Sequence, residues 1–469
     1  MIIIAAPLVA WSETTWPIIF YIIYVLTLFI IGLRSSFALL VSLIALQPLI
    51  PYYPISFLKG AALQDIFYIT GLFILLLFTP LKKNKIKLVL PLAIPYLCLA
   101  LWAALGTFAT QTSFSEILVS LAKGSGRPLV ILLTALFTAT VIKDFQQSNI
   151  LLKFIVISAT VEAIIGILAM IFNIEIIAGG LHLGVQNLPY LIAPEVPISR
   201  RLQGTFSTGN LTGAYFVVTI PLTLAFFLTA TRTRQKYFFF LSAILQFIAM
   251  ILTFTRTSIV AGIFTLLVFA FLYMRKGRMK AVIQVLFAIS FALALLYYLL
   301  PEMVEILSAR FLKARPEARL APAYAGIQMI LDYPIWGVGV DNAIPMMESE
   351  RKYSLTPFGE TTVRPHNSFI FIGAELGLPA SFILLWAVIA ITRFLIKTRA
   401  LSRRPEEIAL SNALMSAWIG ELVHSLTNNL FHHPSLMVTL MAAVVALTPI
   451  FYSSNKLHLN FNGKGGGKE

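Results

Sequence analysis

The sequence predicts an all-α polytopic membrane protein of about 12–13 transmembrane helices with a small helical extracytoplasmic subdomain. Three observations carry that expectation. Of the 469 residues, 58% are hydrophobic and only 12% are charged, and the mean hydropathy of +0.87 is far from that of a soluble domain. Apolar runs of roughly 18 or more residues recur along the chain, long enough to cross a hydrocarbon core of about 30 Å. Lysines and arginines gather in short clusters between those runs, as the positive-inside rule requires. This placement accounts for the net charge of +15 as topology, with no nucleic acid as partner. The alternating segments of about ten residues that mark an outer-membrane barrel are not seen. Cys98, the single cysteine, lies inside an apolar run, so neither an internal disulfide nor a thiolate metal cluster is expected. The first sixteen residues lack a basic stretch, and no removed signal peptide is expected.

Taken in order, the candidate spans are 17–33, 35–50, 61–79, 88–107, 128–142, 149–173, 208–230, 237–255, 258–274, 281–300, 368–396, 410–430 and 435–453, each justified by its apolar length. The first two are separated by little more than Arg34 and count as one broken element or as two. Basic clusters stand at Lys82–Lys87, at Lys143 and Lys153, at Arg232–Lys236, at Arg275–Lys280 and at Lys397–Arg404. Two spans separate each from the next, so all five fall on the cytoplasmic face. The opposite face then carries 108–127, 174–207, the turn near Arg256, 301–367 and the loop Phe431–Pro434. In 301–367, Val304, Leu307 and Phe311 form one stripe at helical spacing, and Leu320, Tyr324, Ile327 and Leu331 form a second, suggesting amphipathic helices that cap the bundle. The chain divides into an N-terminal scaffold (1–200), a transmembrane core with outer-face arginines (201–300), an extracytoplasmic helical loop (301–367), C-terminal spans (368–453) and a cytoplasmic tail (454–469).

The long polar interval Pro334–Ala380 closes on His366, the side chain best able to move a proton near neutral pH. It contains Gly337-Val338-Gly339, suited to close backbone approach. Arginines that defy the positive-inside bias stand at Arg200-Arg201, Arg256, Arg319 and Arg364. Guanidinium groups bind phosphate bidentately and stay charged, so cations gathered on one aqueous face suit a diphosphate. Asn210 is a hydrogen-bonding side chain one turn into its span. His432-His433 with His424 have a mixed helix and loop spacing, without nearby Asp or Cys, that makes a poor metal set. Glu162 and Glu421 within spans leave a proton-coupled transporter or flippase open as a competing reading, although no matching inverted halves are visible. An assembly protein without catalysis leaves the outer arginines without a role.

The motifs together resemble the O-antigen ligase and O-antigen polymerase superfamily of membrane glycosyltransferases. The resemblance covers roughly Arg200 to Gly377. It rests on Arg201-Leu202-Gln203-Gly204-Thr205-Phe206-Ser207-Thr208-Gly209-Asn210, on Thr255-Arg256-Thr257-Ser258, on Asp332-Tyr333-Pro334-Ile335-Trp336-Gly337-Val338-Gly339, and on His366-Asn367 with Gly377. Two positions depart from the family pattern: Thr255 stands where a serine is common, and Ala380 where Gly, Thr or Tyr is usual. The resemblance implies transfer of a glycan from undecaprenyl diphosphate to an acceptor hydroxyl, without metal or other cofactor and with inversion. The reaction is expected at the periplasmic face of the bacterial inner membrane. The acceptor is lipid A-core for a ligase or a second glycan for a polymerase, and the donor's lipid tail lies among membrane lipids. It implies His366, Arg256 and Arg201 as catalytic residues, and Arg319, Arg364, Asn367, Asn210, Gly337 and Gly339 as substrate-binding ones.

Overall fold

A computed structural model describes residues 15–50, 63–80, 83–172, 174–178, 181–187, 200–274 and 317–451, with the single positions 287, 294 and 298. The expected span 281–300 apart from those positions, the stripe Val304–Phe311 and the tail 454–469 lie outside the described residues. In chain order the first helices are α1 (Thr15–Arg34), α2 (Ser36–Leu46), α3 (Leu63–Phe78), α4 (Lys83–Thr110), α5 (Phe114–Ser120), α6 (Arg127–Val141) and α7 (Phe145–Ile171). A π turn, Leu121–Gly126, fuses α5 to α6. Strands β1 (Glu175–Ala178), β2 (Leu181–Asn187) and β3 (Arg200–Gly204) form one antiparallel sheet in that order. Helices α8 (Gly209–Thr229), α9 (Thr233–Leu252) and α10 (Arg256–Met274) follow. Beyond them come α11 (Glu317–Asp332), α12 (Ala343–Ser349), α13 (Arg351–Ser354), the hairpin β4 (Leu355–Thr356) and β5 (Gly359–Glu360), and then α14 (Ser368–Leu401), α15 (Pro405–Ser425) and α16 (Pro434–Val445).

The chain is an all-α polytopic membrane protein. Among the described residues eight helices are long and apolar enough to cross a membrane, and three shorter apolar ones cover Tyr21–Arg34, Ser36–Leu49 and Asp65–Phe78. Ser35, extended at φ −163° and ψ 118°, separates α1 from α2 and caps α2 by accepting from the Ala38 N–H, so the pair is two helices broken at one residue. Helix α8 is apolar on every side and buried along nearly its whole length, which makes it the central helix. α9, α10 and α15 pack around it. Small residues let these helices close in: a Cβ on Gly213 would lie 2.2 Å from Ser258 Oγ, and one on Gly420 1.7 Å from Thr265 Oγ1. Gln246 Nε2 donates to Thr223 Oγ1 at 3.0 Å and to Thr160 Oγ1 at 3.3 Å, tying α9 to α8 and α7 in an interior where polar groups must find partners.

Three boundaries differ from the sequence expectation. The segment 108–127, expected as a loop, is helical from Phe114; Ser113 caps it, and Lys123 is buried on it and paired with Asp341. The stretch 174–207 contains the three-stranded sheet. The expected span 410–430 ends at Ser425, and Leu426–Asn429 form a polar turn before the next short helix.

That turn and a kink in α14 hold the described part of the polar interval, 317–367, in place. Gly377 breaks α14 with φ 82° and ψ 172°, a conformation open essentially to glycine alone. The carbonyls thereby exposed accept from the loop after α11, Ala374 from Val338 N–H at 2.8 Å and Glu375 from Gly339 N–H at 3.0 Å. In return the Leu378 N–H donates to Pro334 O at 2.9 Å. Trp336 stacks on Trp102 with centroids 4.5 Å apart, and Trp102 Nε1 donates to Leu376 O at 2.9 Å. The polar interval is thus clamped onto the membrane helices immediately before its chain runs to His366.

Candidate active site

The loops at one end of the bundle converge on the turn Leu426–Asn428. Asn367 caps α14, its Oδ1 accepting from the N–H groups of Phe369 and Ile370, while its Nδ2 donates to Leu426 O at 3.1 Å. The first residue of α14, Ser368, donates through Oγ to Asn428 O at 2.9 Å. Arg319, from the first turn of α11, donates through Nη1 to Thr427 O. The Asn428 side chain accepts from Asn210 Nδ2 at 3.2 Å and donates to Thr257 Oγ1 at 2.7 Å. Thr255 Oγ1 donates to Asn210 Oδ1 at 3.1 Å. Arg256 therefore stands between two threonines whose hydroxyls belong to one network.

Local backbone explains how each group arrives. Phe254, buried and at φ 48°, is a non-glycine residue in the left-handed region, a placement that stores strain. It turns the chain from the end of α9 into α10, so that Arg256 opens the new helix. A Cβ on Gly326 would lie 2.6 Å from Pro365 Cγ, so α11 lies against the residue preceding His366. Arg319 is seven residues before Gly326, about two turns along the same face of α11, and its charge reaches His366. Arg201 on β3 lies against the start of α8: its Cδ is 3.4 Å from the Cβ position of Gly209, and Thr253 O is equally near. Behind β3, Glu162 of α7 accepts from Thr205 N–H at 2.9 Å and contacts Thr205 Oγ1 at 2.7 Å. Gly204, at φ 66°, leaves room for that carboxylate.

The electrostatics report the same convergence. Arg201 and Arg319 are both pushed below the usual guanidinium range by burial, Arg319 further by the charge of Arg256. Burial, and after it Arg319, pushes His366 down to about 4. Arg319 thus links the two groups, feeling the charge of Arg256 on one side and acting on the neutral imidazole of His366 on the other. Such an arrangement can hold a doubly charged anion and accept a proton beside it.

Arg364, Gly337 and Gly339 lie elsewhere. Arg364 and Lys123 both pair with Asp341, whose backbone is left-handed at φ 66°. Burial pushes the Asp341 carboxyl up, but Lys123 and Arg364 outweigh it and hold it below the usual carboxylate range. Gly337 and Gly339 serve the docking at the α14 kink; a Cβ on Gly337 would lie 2.5 Å from the Glu375 carbonyl carbon. His424 Nε2 lies 3.1 Å from Thr257 Oγ1. His433 is instead pushed down to about 3 by burial and by the charges of Arg127 and Arg364. Sequence reading missed the turn itself, although Thr427-Asn428-Asn429 is a polar triplet of turn-forming residues interrupting an apolar stretch.

Compared with known proteins, residues 241–385 match the family model described as O-antigen ligase. That segment contains Arg256, Arg319, His366 and the kink at Gly377. No curated protein matches the chain.

Proposed function

We propose that the chain, whose residues 241–385 match the family model described as O-antigen ligase, is a membrane glycosyltransferase of the ligase type, moving a glycan from undecaprenyl diphosphate to a hydroxyl of lipid A-core. The observation that carries this reading is the gathering of Arg256, Arg319 and His366 around the turn Leu426–Asn428. The reaction is placed at the periplasmic face of the bacterial inner membrane, opposite the basic loops. Arg256 and Arg319, with Arg201 behind them, hold the diphosphate. The acceptor oxygen forms the new bond to the anomeric carbon as the bond to the diphosphate oxygen breaks, and that electron pair leaves with the lipid diphosphate. Cations aimed at the leaving oxygens stabilise the charge as it develops. His366 takes the acceptor proton. Direct displacement inverts the anomeric configuration.

The acceptor is tested with purified protein in liposomes, a chelator present, and undecaprenyl-diphosphate glycan as donor. Transfer to lipid A-core is expected. Elongation of the lipid-linked glycan alone would assign a polymerase instead.

The pH profile tests the base. Neutral imidazole is the form that takes a proton, and His366 in the free enzyme stays neutral down to about pH 4. The acid limb of kcat/KM, which reports the free enzyme, is therefore expected near pH 4. Because Arg319 is one of the two causes of the depression, Arg319→Gln is expected to move that limb upward. A limb near pH 6.5, indifferent to Arg319, contradicts the assignment.

Glu162 separates this reading from proton-coupled transport. Its carboxyl is engaged by Thr205, and Thr205 Oγ1 also lies 2.5 Å from Pro48 O as donor. A glutamine preserves this arrangement, its amide donating to Thr205 Oγ1 and its oxygen accepting from the N–H. Glu162→Gln is expected to keep near wild-type transfer, whereas a proton-relay role predicts its loss.

A further inference from the structure

His366 belongs to the segment Arg364–Asn367, and its three neighbours there are each tied to a different element. The Asn367 side chain donates to Leu426 O at 3.1 Å. Pro365 lies against α11, its Cγ 2.6 Å from where a Cβ on Gly326 would stand. Arg364 Nη2 donates to Asp341 Oδ1, and the other carboxylate oxygen of Asp341 takes Lys123 Nζ. Arg127 adds its charge to the same carboxylate. Asp341 is itself fixed to the membrane helices. The Gly339 N–H donates to Glu375 O of α14 at 3.0 Å, and a Cβ on Gly339 would lie 2.9 Å from Thr110 Oγ1 at the end of α4. Val340 packs on the π turn, its Cγ2 2.8 Å from where a Cβ on Gly124 would stand. Asn342 Nδ2 donates to Val338 O at 3.1 Å and closes the turn. Asp341 is held left-handed at φ 66°, a conformation that persists in a non-glycine residue only where the surroundings over-determine it. Glycine would adopt it freely but would bring no carboxylate.

We propose that Asp341 is a positioning residue for His366: its carboxylate joins the membrane helices, through Lys123, to the segment that carries the imidazole, through Arg364. The proposal rests on the reading of His366 as the base that takes the acceptor proton. Charge-assisted hydrogen bonds at two separate oxygens fix direction as well as distance. Arg364 and His366 are two residues apart, at most about 7 Å along the chain, so a shift at the arginine is carried to the ring. Without the tie at Arg364 the segment is held only at Pro365 and Asn367. A displacement of about 1 Å at a reacting group costs up to about 10²-fold in rate even when its origin lies away from the chemistry. Asp341 acts through the histidine and touches no substrate in the proposed reaction.

The test reads rate and titration together on the full purified chain. Asp341→Asn is expected to lower kcat about tenfold, within the range for misplacement of a reacting group, with donor KM little changed. When His366 is already alanine, the same substitution is expected to cost less than about twofold, because residues that act as one unit are not additive. Asp341→Glu keeps the carboxylate and is expected to recover part of the rate. In NMR of the histidine-labelled protein, with His366→Ala assigning the signal, the His366 midpoint is expected to rise in Asp341→Asn from about 4 toward the ordinary value of about 6.5, as the ring leaves its buried place under the charge of Arg319. Charge alone acts the other way: the substitution removes an anion and leaves Arg364 and Lys123 less well balanced, which pushes an imidazole down. Lys123→Met combined with Asp341→Asn removes the buried lysine together with its partner and is read instead if thermal unfolding shows the single variant unfolded. An equal cost in both backgrounds with an unmoved midpoint, or a midpoint that falls, overturns the proposal. If His366→Ala itself keeps full activity, the assignment of the base fails, while a risen midpoint in Asp341→Asn still upholds the positioning of the ring.

Discussion

Replacing His366 with alanine is expected to lower kcat by a factor of about 10²–10⁴, the range for loss of a positioned general base, with donor KM little changed. The split follows from the geometry. Asn367 holds the α14 N-terminus and the Leu426 carbonyl with its own side chain, so the strand keeps its place when the imidazole is removed. In the proposed reaction Arg256 and Arg319 remain to bind the diphosphate. Added imidazole is expected to restore part of the rate, because the missing group is a base and not a scaffold. Steady-state kinetics on purified protein check this, and a rise in KM without a fall in kcat would assign His366 to binding alone.

Arg256→Ala is expected to lower kcat by about 10²–10³, the usual effect of removing one donor aimed at developing charge. Arg256 stands between Thr255 and Thr257, both bound into the network around Asn428 and Asn210, which fixes the start of α10. Lysine at this position keeps the charge but loses the planar fork, so Arg256→Lys is expected to recover only part of the rate. Arg364→Ala is expected to lower the rate less than Arg256→Ala, since Arg364 pairs with Asp341 away from the cluster. Equal losses at both positions would place the diphosphate between the two clusters. Single-turnover measurement of lipid diphosphate release distinguishes these outcomes.

The membrane class was legible because bilayer thickness imposes length on every apolar helix, and the described helices follow the apolar runs closely. Helix ends set by long-range contacts were less legible. Lys123 looked like a loop residue because its partner Asp341 is 218 positions away. The turn at Thr427-Asn428-Asn429 was absorbed into an apolar run because flanking residues dominate any average over a span. The sheet at 175–204 left little trace, its strands being short. Of the nine site candidates, Asn210, Arg319 and Asn367 bond the turn Leu426–Asn428 directly, Arg256 and His366 are chain neighbours of residues that do, and Arg201 lies against the start of α8. Arg364 carries the same sequence signal, an arginine against the positive-inside bias, and only its pairing with Asp341 sets it apart. The glycines at 337 and 339 were read as room for substrate, whereas their backbone meets the α14 kink.

The most direct test of the account is release of lipid diphosphate with formation of a new glycoside from purified undecaprenyl-diphosphate glycan and lipid A-core, for wild type, His366→Ala and Arg256→Ala with a chelator present. The account predicts turnover by wild type with inversion at the anomeric carbon, and failure of both variants although folded. Full activity in the two variants, or a product of retained configuration, would contradict it.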